Sequence, residues 1–429
     1  MDEDYKLAKE AFVAGLHGTS VLEVFLVFAI APGCLWLYSE HMLVLEVLGV
    51  RQIGSNHLNL VETILIEFIV TVMPTMIGLS YTQYTIPILA VVYTLSAILC
   101  ALSRYHAKDF VRKHCRKEKR NQLLDKELPF LTNFRAQIMI STCFAILAVD
   151  FSVFPRRFAK TETYGFSVMD IGVGAFIVSS AISVKSQTNQ GTFEVLVITP
   201  RKSYNFLRPI ALVLIFGVAR FVTVKGVNYQ EHVTEYGVHW NFYFTLAGVY
   251  LVYSLLRACG KWAVSPIVAL LIAFDYILES PRNSLLSQNR EGILSLAGYT
   301  SLYLVSIYTG QCIFGAIEPN TFKSHRNMRW LLNISYMLWV MAQSLSLIAL
   351  YSGIQIVCML PRMPLLCRGV NNNQLFVFIV ANLMTGAINL SMHTINSSPE
   401  VSCGVLLTYM LLISVVATML QHINIRIKL

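Results

Sequence analysis

Long apolar runs separated by short polar segments cover almost the whole chain. Within each run the apolar residues are continuous and show no alternation with a period of two. A helix that crosses a bilayer needs about 20 mainly apolar residues, whereas the strands of a membrane barrel alternate between apolar and polar positions. The pattern therefore predicts membrane-spanning α-helices and excludes a barrel.

The predicted fold class is all-α, a polytopic transmembrane helical bundle of about 12–13 spans. The first apolar run is long enough to span the bilayer and is expected to remain in the protein as its targeting signal. The predicted spans are 21–38, 61–80, 84–103, 137–154, 168–184, 209–224, 240–257, 263–278, 294–316, 330–351, 374–395 and 402–420.

The composition agrees with a membrane protein and narrows its chemistry. The chain is 55% hydrophobic and only 13% charged, which leaves too few polar residues to cover a water-soluble protein of this size. Its nine cysteines form no CxxC pair and no zinc-type spacing with histidine, so we predict neither a metal nor a resident cofactor. GxSxG, Walker and HExxH motifs are also missing, which argues against hydrolase, nucleotide-driven and zinc chemistry.

Most of the net charge of +9 comes from one loop. Residues 104–126 hold nine Lys or Arg against three acidic residues. By the positive-inside rule this loop is cytosolic, and nothing in it indicates nucleic-acid binding. We treat 1–429 as a single integral-membrane domain with a basic cytosolic loop at 104–136. The fourth span then runs outward and delivers residues 155–167 to the lumenal side.

The C-terminal tail conflicts with a count of twelve spans. Twelve crossings leave the tail lumenal, whereas Arg426 and Lys428 favour the cytosol. A thirteenth element near 352–366 would restore the parity, although that stretch is only marginally apolar.

Residues 150–170 place several charges between two apolar runs. Charged side chains at membrane depth are costly, so they are retained where they pair, line a polar cavity or perform chemistry. Asp150 lies near the C-terminal end of the fourth predicted span, Pro155 ends that helix, and Arg156, Arg157 and Lys160 follow. A carboxylate among apolar groups and cations suits a general base. A buried ion pair from Asp150 to Lys160 or Arg157 explains the same residues without any reaction.

Two further polar positions are candidates for binding a substrate. Asp170 begins the fifth predicted span, where it is either a ligand contact or a helix cap. His239 and Asn241 close the polar stretch 229–241, on the predicted lumenal side. His239 is either a proton shuttle or an interfacial anchor beside Trp240.

The sequence from Ile146 to Gly174 strongly resembles the inositol acyltransferase family of glycosylphosphatidylinositol (GPI) anchor synthesis. The hallmark ILAVDFxVFPRRFAKTExxG, followed by SxMDxGVG, occurs here in order. EYGVHWNF at 235–242 is similar to a second segment of the family. The resemblance is expected to extend over the whole chain.

This resemblance implies a multi-pass enzyme of the endoplasmic reticulum membrane. It implies transfer of a fatty acyl group, typically palmitoyl, from acyl-CoA to the inositol 2-hydroxyl of glucosaminyl-phosphatidylinositol. Asp150 and Lys160 are similar to the family's catalytic pair, a proton acceptor and a cation near the thioester oxygen. Arg156 and Arg157 would clamp a phosphate of either substrate, or anchor to bulk lipid headgroups.

Some alternatives stay open at this point. A lipid or anion transporter, or flippase, would use the same intramembrane charges, and a noncatalytic subunit would use none. A histidine-type membrane O-acyltransferase would depend on His239 or His393 instead. The predicted topology also places Lys160 opposite a cytosolic donor, so acyl-CoA would have to reach it through a cavity in the bundle.

Overall fold

A computed structural model describes ten segments of the chain. They are residues 3–12, 14–47, 60–106, 128–161, 165–182, 200–226, 238–259, 285–313, 334–358 and 362–427. Apart from short turns, these segments are helical, and the one extended pairing among them is an isolated bridge between Thr19 and Phe166. The predicted all-α class is confirmed.

The described residues form fifteen α-helices, a π-helical turn at Phe68–Val72, and 3-10 turns at Thr82–Tyr84 and Arg156–Phe158. The helices are α1 (Glu3–Phe12), α2 (Val21–Val47), α3 (Leu60–Glu67), α4 (Met73–Ser80), α5 (Thr85–His106), α6 (Pro129–Ala148), α7 (Asp170–Ala181), α8 (Pro200–Gly226), α9 (Phe242–Cys259), α10 (Leu285–Gln288), α11 (Arg290–Ile313), α12 (Ile334–Val357), α13 (Leu365–Asn372), α14 (Gln374–Ser391) and α15 (Pro399–His422).

Eight helical stretches of the described chain are long and apolar enough to cross a membrane. Shorter apolar helices occur at Asp170–Ala181, Ile210–Val222 and Phe242–Tyr253. Each of these eleven stretches overlaps one predicted span, and the twelfth prediction, 263–278, lies outside the described residues. A polytopic helical membrane protein is therefore confirmed.

The fourth predicted span is displaced toward the C-terminus relative to the helix that forms. Helix α6 begins at Pro129, whose missing N–H costs nothing in a first turn, and ends at Ala148. Its first turns are polar, but Gln137 donates to the Phe28 carbonyl at 2.6 Å and accepts from the Tyr351 hydroxyl at 2.7 Å. Such bonds make polar side chains tolerable inside a bundle. The C-terminal part of the predicted loop 104–136 is therefore helix.

The predicted thirteenth span near 352–366 is wrong for the described part of that stretch. Helix α12 continues to Val357, and α13 has only eight residues, or about 12 Å at 1.5 Å per residue. Glu67 explains where α13 begins. Its two carboxylate oxygens each accept a main-chain N–H at 2.8 Å, one from Leu365 and one from Leu366.

The chain divides into two compact units. The first contains Met1–Ala14 and Val173–Ala342, and the second contains Gly15–Gly172 and Gln343–Lys428. Residues 150–170 belong to the second unit, whereas His239 and Asn241 belong to the first.

Polar contacts at one end of the second unit place the C-terminal tail. Arg135 in the second turn of α6 donates to Gln374, the first residue of α14, at 3.2 Å. Asn373, next to Gln374, accepts the Ile427 N–H at 2.7 Å. The tail therefore lies at the end of the unit where α6 begins, which is the end that the basic loop reaches. This agrees with the cytosolic preference of Arg426.

Candidate functional site

A buried loop of the second unit joins α6 to α7 and carries most of the candidate residues. The side chains of Phe151, Phe154 and Phe158 are fully buried, and the last two rings pack edge to face with centroids 6.2 Å apart. The Met169 N–H donates to the Phe158 carbonyl at 3.1 Å and closes the loop. Aromatic packing therefore holds in place a segment that has little regular structure of its own.

Arg156 caps the C-terminal end of α6. Its guanidinium donates to three main-chain carbonyls, those of Val149 at 2.8 Å, Phe151 at 3.0 Å and Phe154 at 3.0 Å. These carbonyls follow the last helical turn and have no partner within the helix. Burial lowers the pKa of Arg156 to about 10, and the opposing attraction of Asp150 limits the decrease.

Arg157 forms an ion pair with Glu23 near the start of α2. Its Nη2 lies 2.8 Å from one carboxylate oxygen of Glu23 and 2.7 Å from the Thr82 hydroxyl, and its Nε donates to the other carboxylate oxygen at 3.1 Å. Both arginines thus have structural partners. Their predicted contact with a substrate phosphate stays a prediction.

Asp150 lies at the end of α6 with only 4% of its surface exposed. The Asn389 amide, near the end of α14, donates to Asp150 Oδ2 at 2.7 Å. The Thr394 hydroxyl donates to the Oδ1 atom of Asn389 at 3.3 Å. The Asp150 carboxyl group is thus held at the end of two helices by an oriented amide donor.

Lys160 and Asp170 lie at the other end of the loop. Lys160 is half-buried and interacts electrostatically with Asp170. The Asp170 carboxylate accepts the Thr161 hydroxyl at 2.8 Å, and the Asp170 N–H donates to the Ser167 hydroxyl at 3.1 Å. These bonds give Asp170 structural contacts at the start of α7, while a contact with substrate stays a prediction.

Two glycines let the segment before α2 approach the loop. The Thr19 N–H donates to the Phe166 carbonyl at 2.6 Å. Gly18 and Gly165 flank this bond with φ of 76° and 135°, values that side chains disfavour. A Cβ at Gly165 would overlap the His17 carbonyl oxygen. The close approach of the two segments therefore requires glycine.

His239 and Asn241 have structural contacts in the first unit. The Asn241 side chain accepts the N–H groups of Tyr243 and Phe244 at 3.0 and 3.3 Å, so it caps α9. The His239 ring lies 3.1 Å from Gln288 through Nε2 and packs edge to face on Phe221. Their substrate contacts stay predictions, and residues 229–237 of the predicted polar stretch lie outside the described residues.

The second unit also contains two small clefts of about 20 Å³ each. Leu35, Asn133 and Tyr351 line both of them, whereas Asp150 and Lys160 line neither. A common chamber for Asp150 and Lys160 therefore stays a prediction.

Sequence reasoning missed the partners that organise this loop. Glu23 is a single acidic residue within the first apolar run, where no local pattern connects it to Arg157. Asn389 and Thr394 lie more than 200 positions after Asp150. Asn389 stands out in the sequence only as a polar residue within an apolar run and as part of an Asn-Leu-Ser sequon. Neither signal identifies its partner.

Comparison with known proteins supplies the family. The GWT1 family profile matches residues 5–329 and 320–420. The chain is 33% identical to GPI-anchored wall transfer protein 1 of Emericella nidulans, with full coverage of both proteins. It is 32% identical to the protein of that name from Schizosaccharomyces pombe, over 99% of this chain and 100% of that protein.

A relative outside the fungi extends the same match. The phosphatidylinositol-glycan biosynthesis class W protein of Dictyostelium discoideum is 28% identical over the full length of both chains. The profile match and the fungal relatives agree with the motif at 146–174, so the chain belongs to the GWT1 family, the inositol acyltransferase family of GPI-anchor synthesis.

Proposed function

We propose that this protein transfers a fatty acyl group from acyl-CoA to the inositol 2-hydroxyl of glucosaminyl-phosphatidylinositol, and that the preferred acyl group is palmitoyl. The reaction takes place in the endoplasmic reticulum membrane, where the protein is a multi-pass enzyme. Its partners are the two substrates and the surrounding lipids, and it requires no resident cofactor. Family membership supports the GPI-synthesis role, and the residues of the 149–170 loop support the chemistry.

The observation that carries the proposal is the buried carboxylate of Asp150. It lies where α6 ends and accepts a hydrogen bond from Asn389 at 2.7 Å. The hydrogen bond from this amide restricts rotation of the carboxyl group and keeps it in one orientation. These features suit a proton acceptor for an alcohol.

The proposed step needs no covalent intermediate on the enzyme. Asp150 accepts the inositol proton as the hydroxyl oxygen attacks the thioester carbonyl. The new C–O bond forms, the C–S bond breaks, and the departing thiolate receives the proton from Asp150. The Lys160 ammonium stabilises the negative charge that grows on the thioester oxygen. Lys160 is half-buried and on the same loop, which supports this assignment.

Asp150→Asn tests the proton acceptor, because the amide keeps the shape and removes the base. We expect purified Asp150→Asn to lose at least about 100-fold in acyl transfer from palmitoyl-CoA to glucosaminyl-phosphatidylinositol, with its melting temperature retained. Glu400→Gln is the matched control, since Glu400 is an exposed carboxylate in the first turn of α15. If Asp150→Asn turns over as fast as the wild type, Asp150 is not the proton acceptor. If the protein moves lipid across the membrane without forming acylated product, the transporter hypothesis is favoured.

Lys160→Ala compared with His239→Ala separates the proposed chemistry from that of a histidine-type acyltransferase. We expect Lys160→Ala to reduce kcat by about 100-fold or more, and His239→Ala to change kcat by less than about threefold at equal folded fraction. A severe loss in His239→Ala with a mild effect in Lys160→Ala would reverse the assignment.

A further inference from the structure

We propose that Asn389 and Thr394 form a positioning relay that holds Asp150 ready for reaction. This inference rests on the proposed function, since it assigns a positioning role for the same carboxylate. Thr394 donates to Asn389 Oδ1 at 3.3 Å, and Asn389 donates to Asp150 Oδ2 at 2.7 Å. The bond between Thr394 and Asn389 is local in sequence, whereas tertiary packing brings Asn389 to Asp150.

The Asp150 carboxylate determines which way the Asn389 amide points, and the Thr394 hydroxyl, which can donate or accept, is compatible with that orientation. In the opposite orientation, Asn389 Oδ1 would face the Asp150 carboxylate at hydrogen-bond distance, and two acceptors would repel each other. The Thr394 hydroxyl would then face an NH₂ group instead of an acceptor. The relay therefore has one favourable orientation, with the amide nitrogen on Asp150.

Burial strengthens the two hydrogen bonds of this orientation. Asn389 is 4% exposed and Thr394 is fully buried, so water does not compete for these bonds. An amide donor on one carboxylate oxygen stabilises the charged form and restricts rotation of the carboxyl group. Rotation about the side-chain bonds of Asp150 would carry the acceptor oxygen away from the attacking hydroxyl, and fixed alignment is a large part of catalysis.

The relay also joins elements that are remote in sequence. Asp150 and Asn389 are 239 positions apart, and Asn389 lies two residues before the last residue of α14. Thr394 lies in the turn between α14 and α15. The α14–α15 turn therefore controls the geometry of a residue that follows α6, and we assign positioning, not contact with the reacting atoms, to Asn389 and Thr394.

The first test replaces Asn389 by Leu, which keeps the volume and removes both hydrogen bonds. We expect kcat to fall about 10- to 100-fold, while KM for palmitoyl-CoA and for glucosaminyl-phosphatidylinositol stays within about twofold. Asn382→Leu is the matched control, because Asn382 lies two turns earlier on α14 and donates to the Phe378 carbonyl of its own helix, at 2.7 Å. Activity is expressed per folded protein, measured by thermal unfolding.

A second pair of variants keeps the proposal testable if Asn389→Leu does not fold. Thr394→Val removes the hydroxyl and conserves the shape, whereas Thr394→Ser retains the hydroxyl. We expect Thr394→Val to lose about 5- to 20-fold in kcat and Thr394→Ser to restore at least half of the activity. A merely structural role would not give that recovery at equal melting temperature.

The outcomes separate failure of this proposal from failure of the proposed function. If the wild-type protein transfers no acyl group, or Asp150→Asn is fully active, the proposed function fails first. If Asp150→Asn is inactive but Asn389→Leu and Thr394→Val match Asn382→Leu in kcat, only the relay is overturned. Adding Asn389→Leu to Asp150→Asn is expected to cause no further loss, since the relay acts through Asp150. A further loss of 10-fold or more would overturn it as well.

Discussion

The guanidinium of Arg157 binds the carboxylate of Glu23 through two nitrogens, and the nearest pair of atoms is 2.8 Å apart. The residues are separated by 134 positions, so this ion pair connects the start of α2 to the loop after α6. The Arg157 side chain is 45% exposed and that of Glu23 is 27% exposed. Water therefore screens much of the attraction between them.

We expect Glu23→Gln and Arg157→Gln each to lower the free energy of unfolding by less than about 1 kcal/mol. The double variant is expected to lose no more than the larger single effect, because the two side chains act as one pair. Thermal unfolding of the purified protein in detergent measures the three values. A large loss of acyl transfer in Arg157→Gln that Glu23→Gln does not share would instead assign Arg157 to a substrate phosphate.

Glu67 offers a second prediction about stability. It is 1% exposed and accepts from the Tyr38 hydroxyl at 2.9 Å in addition to the two N–H groups that begin α13. Glu67→Gln would set an NH₂ group against one of these three donors, and a buried donor left unpaired costs about 1–3 kcal/mol. We therefore expect a drop of about that size in the free energy of unfolding.

Glu62→Gln is the matched control for Glu67→Gln. Glu62 lies five residues earlier on α3 and is exposed, so loss of its charge is expected to change the unfolding free energy by less than about 0.5 kcal/mol. Equal effects of the two substitutions would show that the carboxylate at the start of α13 contributes nothing specific.

The close approach at Gly165 gives a third prediction. Gly15 and Gly165 both have positive φ, 70° and 135°, but only Gly165 has main-chain atoms where a Cβ would lie. Gly15→Ala is expected to cost about 1 kcal/mol for its backbone conformation alone. Gly165→Ala is expected to cost clearly more, because the His17 carbonyl would have to move.

The readout for this comparison is both stability and protection of the Thr19 N–H. Hydrogen exchange at Thr19 is expected to speed up at least about tenfold in Gly165→Ala and to stay unchanged in Gly15→Ala. If exchange at Thr19 is not faster in Gly165→Ala, the contact between the two segments does not depend on Gly165.

Hydropathy alone identified the membrane-spanning helices of the described chain, because continuous apolar runs have one stable arrangement in lipid. The ends of the helices were less accurate. Predicted 137–154 became Pro129–Ala148, since the polar side chains of the first turns find partners on α2 and α12 that no local pattern reveals. The predicted element at 352–366 was wrong for the related reason that Glu67 starts α13 from another helix.

The candidate loop shows the same division. The motif between Ile146 and Gly174 was sufficient to identify the family and to nominate Asp150 and Lys160, because short ordered motifs are local in sequence. The amide that holds Asp150, the carboxylate that binds Arg157 and the carbonyls that Arg156 caps were decided by tertiary structure. Helices that are apolar on every face carry no pattern that specifies which neighbour each will contact, so packing alone brought Asn389 to Asp150.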